Sequence, residues 1–139
     1  EPPSRFEAGT HHIAGAIGLG VALDYIASIG IETIHDYASQ LIDYAVNRLK
    51  SCQGVEIVGN PDHRSGAISF IMENAHPHDI GTILDTDGIA IRAGHDCCEP
   101  LMNRFGISST ARASIARYNN SDDIDALVDS LAKVRALFG

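Results

Sequence analysis

The sequence predicts an α/β-class chain, a mixed α+β small domain in which a small sheet packs against helices. Three observations predict it. Two stretches long enough for helices fill residues 13–51, and short β-branched runs follow near 55–58 and 67–72. Helix-like and strand-like segments then alternate to the end. At 139 residues the chain is most simply one domain, 1–139, large enough to bury a core.

Each element has a local reason. Ile13 to Ile29 is apolar nearly all round and carries Gly15, Gly18 and Gly20, so it reads as a buried helix ending near Gly30, its glycines marking close packing against a neighbour. Over 31–51, Ile34, Tyr37, Ala38, Leu41, Ile42, Ala45 and Leu49 keep helical spacing. Arg48 and Lys50 suit the negative end of that helix. Val55 to Val58 is a short strand ended by Gly59-Asn60-Pro61, and Ala67 to Met72 is a second. His76-Pro77-His78-Asp79 opens a helix running to about Asp85, with Pro77 suited to its first position. Ile89 to Arg92 is a third strand, residues 99–105 form a turn or two of helix, and Ala111 to Arg117 is a fourth strand. Asn120 with Asp123 caps a last helix that reaches about Leu137.

Composition excludes several roles. A net charge of −8 disfavours nucleic acid and anionic membrane surfaces, and no run of eighteen apolar residues marks a membrane span. Cys52, Cys97 and Cys98 form no disulfide framework, which points to a reducing, cytoplasmic setting. The opening Glu1-Pro2-Pro3-Ser4 reads like the linker end of something longer.

The chemistry gathers around Arg92-Ala93-Gly94-His95-Asp96-Cys97-Cys98-Glu99-Pro100, followed by Ala111-Arg112-Ala113-Ser114. A thiol in a glycine- and proline-bounded polar loop is placed for chemistry more than for packing. Nearby cations favour the reactive thiolate, whereas Asp96 and Glu99 oppose it. Arginine grips a carboxylate with two parallel hydrogen bonds, so thiol plus arginine suggests an enzyme acting on an amino or keto acid. Arg112, flanked by Ala111, Ala113 and Ile115, reads as an inward-facing charge, which needs a partner. His95, Cys97, Cys98, His76 and His78 are possible metal ligands, but no Cys-x-x-Cys pair is present and no metal is expected. His76 and His78 read as helix-entry residues. The glycines at 15, 18 and 20 lack the preceding strand and the lysine of a phosphate loop.

Together, Arg5-Phe6-Glu7-Ala8-Gly9-Thr10, the loop Arg92-Ala93-Gly94-His95-x-Cys97-x-x-Pro100-Leu101-Met102, and Ala111-Arg112-Ala113-Ser114 with Tyr118-Asn119 resemble the C-terminal part of the group II cysteine desulfurases and selenocysteine lyases. These are pyridoxal-phosphate enzymes of the class V aminotransferase family. The resemblance implies the C-terminal small domain of a fold-type-I transferase, with Cys97 as the nucleophile that takes sulfur from L-cysteine as a persulfide and leaves alanine. Arg112 would hold the substrate carboxylate, Arg92 would line the same pocket, and Gly9-Thr10 would reach the cofactor phosphate of a partner protomer in a homodimer. A sulfur-acceptor protein and a role in iron–sulfur cluster assembly follow from the same resemblance. L-selenocysteine as substrate, or a stand-alone sulfur carrier, are its alternatives.

The sequence departs from the family pattern at three places. His11 stands where proline usually follows Gly-Thr, Asp96 replaces a frequent histidine, and Cys98 replaces a small residue. Asp96 would slow the attack by opposing the thiolate, and Cys98 is expected to point away. The two lysines, Lys50 and Lys133, lie outside the Ser-x-His-Lys setting that anchors the cofactor. The large domain bearing that lysine is therefore expected upstream, and this chain alone is expected to be inactive.

Overall fold

The computed structural model describes residues 1–139 and divides into two compact units, Glu1–His35 and Asp36–Gly139. The first holds a one-turn 3-10 helix, Ser4–Phe6, and helix α1, Ile13–Ile29. Gly30 closes α1 with φ of 93°, a conformation that suits glycine, and its N–H bonds the Ile26 carbonyl at 3.0 Å. The expectation of a buried helix is corrected. No residue of α1 is buried, and Ile17, Leu19 and Val21 are 61–66% exposed. An apolar surface all round a helix demands a cover, but the pattern does not say which residues supply it. The glycine reading changes too: open space lies where side chains at Gly18 and Gly20 would project, and Gly15 faces only His12.

Helix α2, Ile31–Ser51, runs into the second unit, where it buries Leu41, Ile42, Ala45 and Leu49 as its spacing predicts. Strands β1 (Val55–Ile57), β2 (Ala67–Met72), β3 (Arg92–Gly94) and β4 (Thr110–Ser114) form one antiparallel sheet in the order β1-β2-β4-β3. Alternation gives the sheet two faces. Ile68, Phe70 and Met72 of β2, with Ala111 and Ala113 of β4, point into the core. That core is completed by α2, by Ile80 and Leu84 of α3 (Pro77–Thr86), and by Ile124, Leu127, Leu131 and Val134 of α5 (Ser121–Phe138). A small sheet against helices is the architecture expected.

Two strands differ from the sequence reading. The third starts at Arg92 rather than Ile89, because β4 fixes its register through Arg92–Arg112, Ala93–Ala111 and Gly94–Thr110. Ile89 and Ile91 instead pack against the core without pairing. The fourth ends at Ser114. Ile115 still donates to the Gly66 carbonyl at 2.7 Å, but Asn119 then accepts from the Ala116 N–H at 2.9 Å and turns the chain.

Helix starts follow the sequence closely. His76 Nδ1 accepts from the His78 N–H at 3.2 Å ahead of Pro77. Asn120 accepts from the N–H groups of Asp122 and Asp123, while Asp123 accepts from the Asn120 N–H at 3.1 Å, a reciprocal capping box. Asn120→Ala is expected to cost about 1 kcal/mol. Thermal unfolding of the two proteins checks this, and an unchanged midpoint would show that the box contributes nothing.

Candidate thiol and carboxylate-binding site

Strands β3 and β4 place Arg92 and Arg112 directly opposite each other. Because Ala111 and Ala113 face the core, alternation turns Arg112 to the other face of the sheet. The expectation that this charge points inward is thus corrected: its side chain is 30% exposed. The expectation that it needs a partner is met. Two like charges opposite each other on a sheet repel, and the Asp96 carboxylate stands between them. Asp96 Oδ1 lies 3.0 Å from Arg92 Nε and 3.1 Å from Arg112 Nη1, and the Asp96 side chain is only 13% exposed.

The bridge is close but imperfectly aligned. These separations are those of ion pairs, yet Asp96 Oδ1 and Arg112 Nε are both buried without a well-directed hydrogen bond. A single oxygen shared between two guanidiniums cannot give either of them the parallel two-bond geometry that a free carboxylate can.

Cys97 is the next residue. Asp96 and Cys97 have φ of 53° and 58°, both left-handed. That region costs a non-glycine residue about 1–2 kcal/mol, so neighbouring contacts must hold the loop. The Cys98 N–H bonds the His95 carbonyl at 2.9 Å and closes the turn. Cys98 then begins α4, Glu99–Phe105, its carbonyl accepting from Leu101 and Met102 at 3.0 and 3.2 Å. Met102 is buried and anchors that short helix. The thiols of Cys97 and Cys98 are both free and exposed. Cys52 differs: burial pushes its thiol up, only partly offset by Arg48, and its Sγ lies 3.3 Å from the Arg48 carbonyl.

The structure therefore brings together Arg92 and Arg112 and adds Asp96, whose part as a bridge the sequence reading missed; Cys97 follows Asp96 in the chain, with an exposed thiol. The signal was present in the four-residue spacing of Arg92 and Asp96, but the strand register was needed to bring Arg112 in. The sequence reading weighed the Asp96 charge only against the thiolate; in the structure two guanidiniums face it. A cavity of about 370 Å³ bordered by Ile89, Ile115 and Leu127 takes in none of these residues.

Other candidates lie elsewhere. His76 and His78 stack with ring centroids 5.7 Å apart at the start of α3, and no group of three or more His, Cys, Asp or Glu side chains gathers around a common point. Lys133 Nζ pairs with Asp87 Oδ1 at 2.7 Å, and with the Ser130 hydroxyl it holds the Asp87 carboxyl below the usual range. Lys50 is exposed in the last turn of α2. Gly9 and Thr10 form an exposed bend in the first unit, with open space at Gly9. Asn119, quoted in the last motif, is structural: it turns the chain before α5 and accepts from the Tyr37 hydroxyl at 2.6 Å.

The fold is one shared by solved cysteine desulfurases. Cysteine desulfurase CsdA from Escherichia coli superposes with a TM-score of 0.90 at 34% identity, over 99% of this chain and 34% of that one. The apo cysteine desulfurase of Thermococcus onnurineus gives 0.90 at 36%, over 96% of this chain and 34% of that one. The chain belongs to the aminotransferase class-V family, whose family model matches residues 1–127. A probable cysteine desulfurase of Halalkalibacterium halodurans is 48% identical across all of this chain and 34% of its own length. One from Staphylococcus aureus is 47% identical over 98% of this chain and 33% of its own. The chain thus spans about a third of the length of the curated relatives it matches.

Proposed function

We propose that this chain is the C-terminal small domain of a pyridoxal-phosphate-dependent cysteine desulfurase and carries its sulfur-accepting cysteine. One observation carries the reading: an exposed thiol, Cys97, directly follows the carboxylate that bridges two arginines. The position within the longer enzyme rests on the Cys97 and Arg112 motifs. The apolar helix α1, none of whose residues is buried, supports a large domain that covers it, since contiguous apolar surface usually marks an interface.

In this reading Arg112, with Arg92 beside it, grips the α-carboxylate of L-cysteine through charge-assisted hydrogen bonds. The Cys97 thiolate attacks the substrate sulfur. A sulfur–sulfur bond forms, the carbon–sulfur bond breaks with its electron pair left on carbon, and a proton there completes alanine. When bound, pyridoxal phosphate supplies the electron sink for that carbon. The residues present fit part of a site for it: the exposed Gly9-Thr10 bend has open space where a phosphate could approach the backbone, whereas Lys133 is committed to Asp87 and Lys50 lies at a helix end. The covalent anchor is assigned to the rest of the enzyme, and the chain alone is inactive.

The same geometry would accept L-selenocysteine. A homodimer, a sulfur-acceptor protein, a place in iron–sulfur cluster assembly and a cytoplasmic location complete the reading, each resting on the family resemblance.

The test uses the full-length enzyme with pyridoxal phosphate and L-cysteine, measuring alanine release and protein-bound persulfide in equal amounts. Alanine without persulfide would reject it. Arg112→Ala is expected to lower kcat/KM by roughly 10- to 100-fold, mostly through KM, from the loss of charge-assisted bonds. Arg112→Lys should recover only part, because an ammonium cannot make the paired contact. Unchanged kinetics in Arg112→Ala would remove that arginine from substrate binding.

A further inference from the structure

The pair Arg92 and Arg112 is already occupied, by a carboxylate from the chain itself. Asp96 Oδ1 reaches both guanidiniums at 3.0 and 3.1 Å, while Arg112 Nε is left buried without a partner. An amino acid carboxylate arriving from solvent has two free oxygens and can satisfy Arg112 in the parallel geometry that Asp96 does not reach. Asp96 is therefore a stand-in that substrate can displace. It is also half of a left-handed Asp96-Cys97 pair, which costs energy without a compensating contact. Release of the carboxylate removes that contact and frees the thiol-bearing loop to change conformation.

Resting on the desulfurase reading, we propose that Asp96 is a positioning residue that holds Arg112 and the Cys97 loop in a waiting state, and that the substrate carboxylate exchanges with it. Carboxylate binding at Arg112 and release of the Cys97 loop are then one event. The thiol stays held until a substrate with a carboxylate is in place, which favours amino acids over other thiols. The affinity for substrate is lowered by the fraction of molecules whose arginine is occupied.

The test is Asp96→Asn in the full-length enzyme. Asparagine keeps the size of the side chain and tolerates the left-handed backbone, while losing the charge. Two measurements are made. Steady-state kinetics should show KM for L-cysteine lowered about three- to tenfold, the competition having been removed. Hydrogen exchange of the peptide covering residues 92–102 is followed with and without saturating L-alanine, the reaction product. In the parent enzyme, L-alanine should speed exchange in this peptide; in Asp96→Asn exchange should be fast already and unaffected by L-alanine. A merely structural role for Asp96 would speed exchange but raise KM and keep the response to L-alanine, and that result overturns the proposal. So does an unchanged KM with unchanged exchange. Failure of the functional reading looks different: the parent enzyme itself would then make neither alanine nor persulfide.

Discussion

Cys97→Ser in the full-length enzyme is expected to eliminate persulfide formation, lowering it by at least about 100-fold, the scale seen when a covalent nucleophile is removed. A serine hydroxyl is far less ionised near neutral pH than a thiol and makes no sulfur–sulfur bond, so the step has no substitute atom. Cys98→Ser is expected to retain most of the activity. Cys98 acts through its backbone, its N–H closing the turn to His95 and its carbonyl starting α4, and serine preserves both bonds. Its side chain makes no capping hydrogen bond, so nothing in α4 depends on the sulfur. The comparison is read by mass spectrometry of the peptide holding both cysteines after one exposure to L-cysteine, alongside alanine release. Persulfide lost in Cys98→Ser and kept in Cys97→Ser would reverse the assignment.

Most of this arrangement was legible in the sequence, for physical reasons that differ from residue to residue. The spacing of Leu41, Ile42, Ala45 and Leu49 gives a helix only one face to bury, and that face is buried. Asn120 and Asp123 act over three residues, so a local rule finds the cap. Cys97 is exposed because glycine, proline and charged side chains surround it. What was not legible depends on pairing across the sheet. The start of β3 is set by β4, eighteen or more residues away in sequence, and the direction in which Arg112 points is set by the same pairing. The Asp96 bridge needed both. Helix α1 shows the opposite limit, since its composition announces a need for burial without naming the surface that meets it.

The site depends on that sheet holding still, and this makes Phe70 the most consequential core residue. Phe70 is fully buried in β2, opposite Ala111 of β4 and Ile57 of β1, on the face away from Arg112. Its neighbours across the sheet on the β4 side are small alanines, so the ring supplies much of the volume there. Phe70→Ala is expected to destabilise the domain by about 3–5 kcal/mol, the sum of lost burial and the cavity left behind. Against a typical total of about 5–15 kcal/mol, that is enough to open the sheet a measurable part of the time. Phe105, which is 48% exposed at the end of α4, is the control, and Phe105→Ala should change stability by less than about 1 kcal/mol. Hydrogen exchange of the β2 and β4 amides in the full-length enzyme reads the difference locally, independently of how the rest of the protein unfolds. Since β4 carries Arg112 and sets the register of β3, the proposed desulfurase activity in Phe70→Ala should fall on mild warming, at temperatures where Phe105→Ala is unaffected. A Phe70→Ala protein with exchange and heat tolerance equal to the parent would mean that some other part of the structure, and not this core, holds Arg92, Arg112 and the Cys97 loop in register.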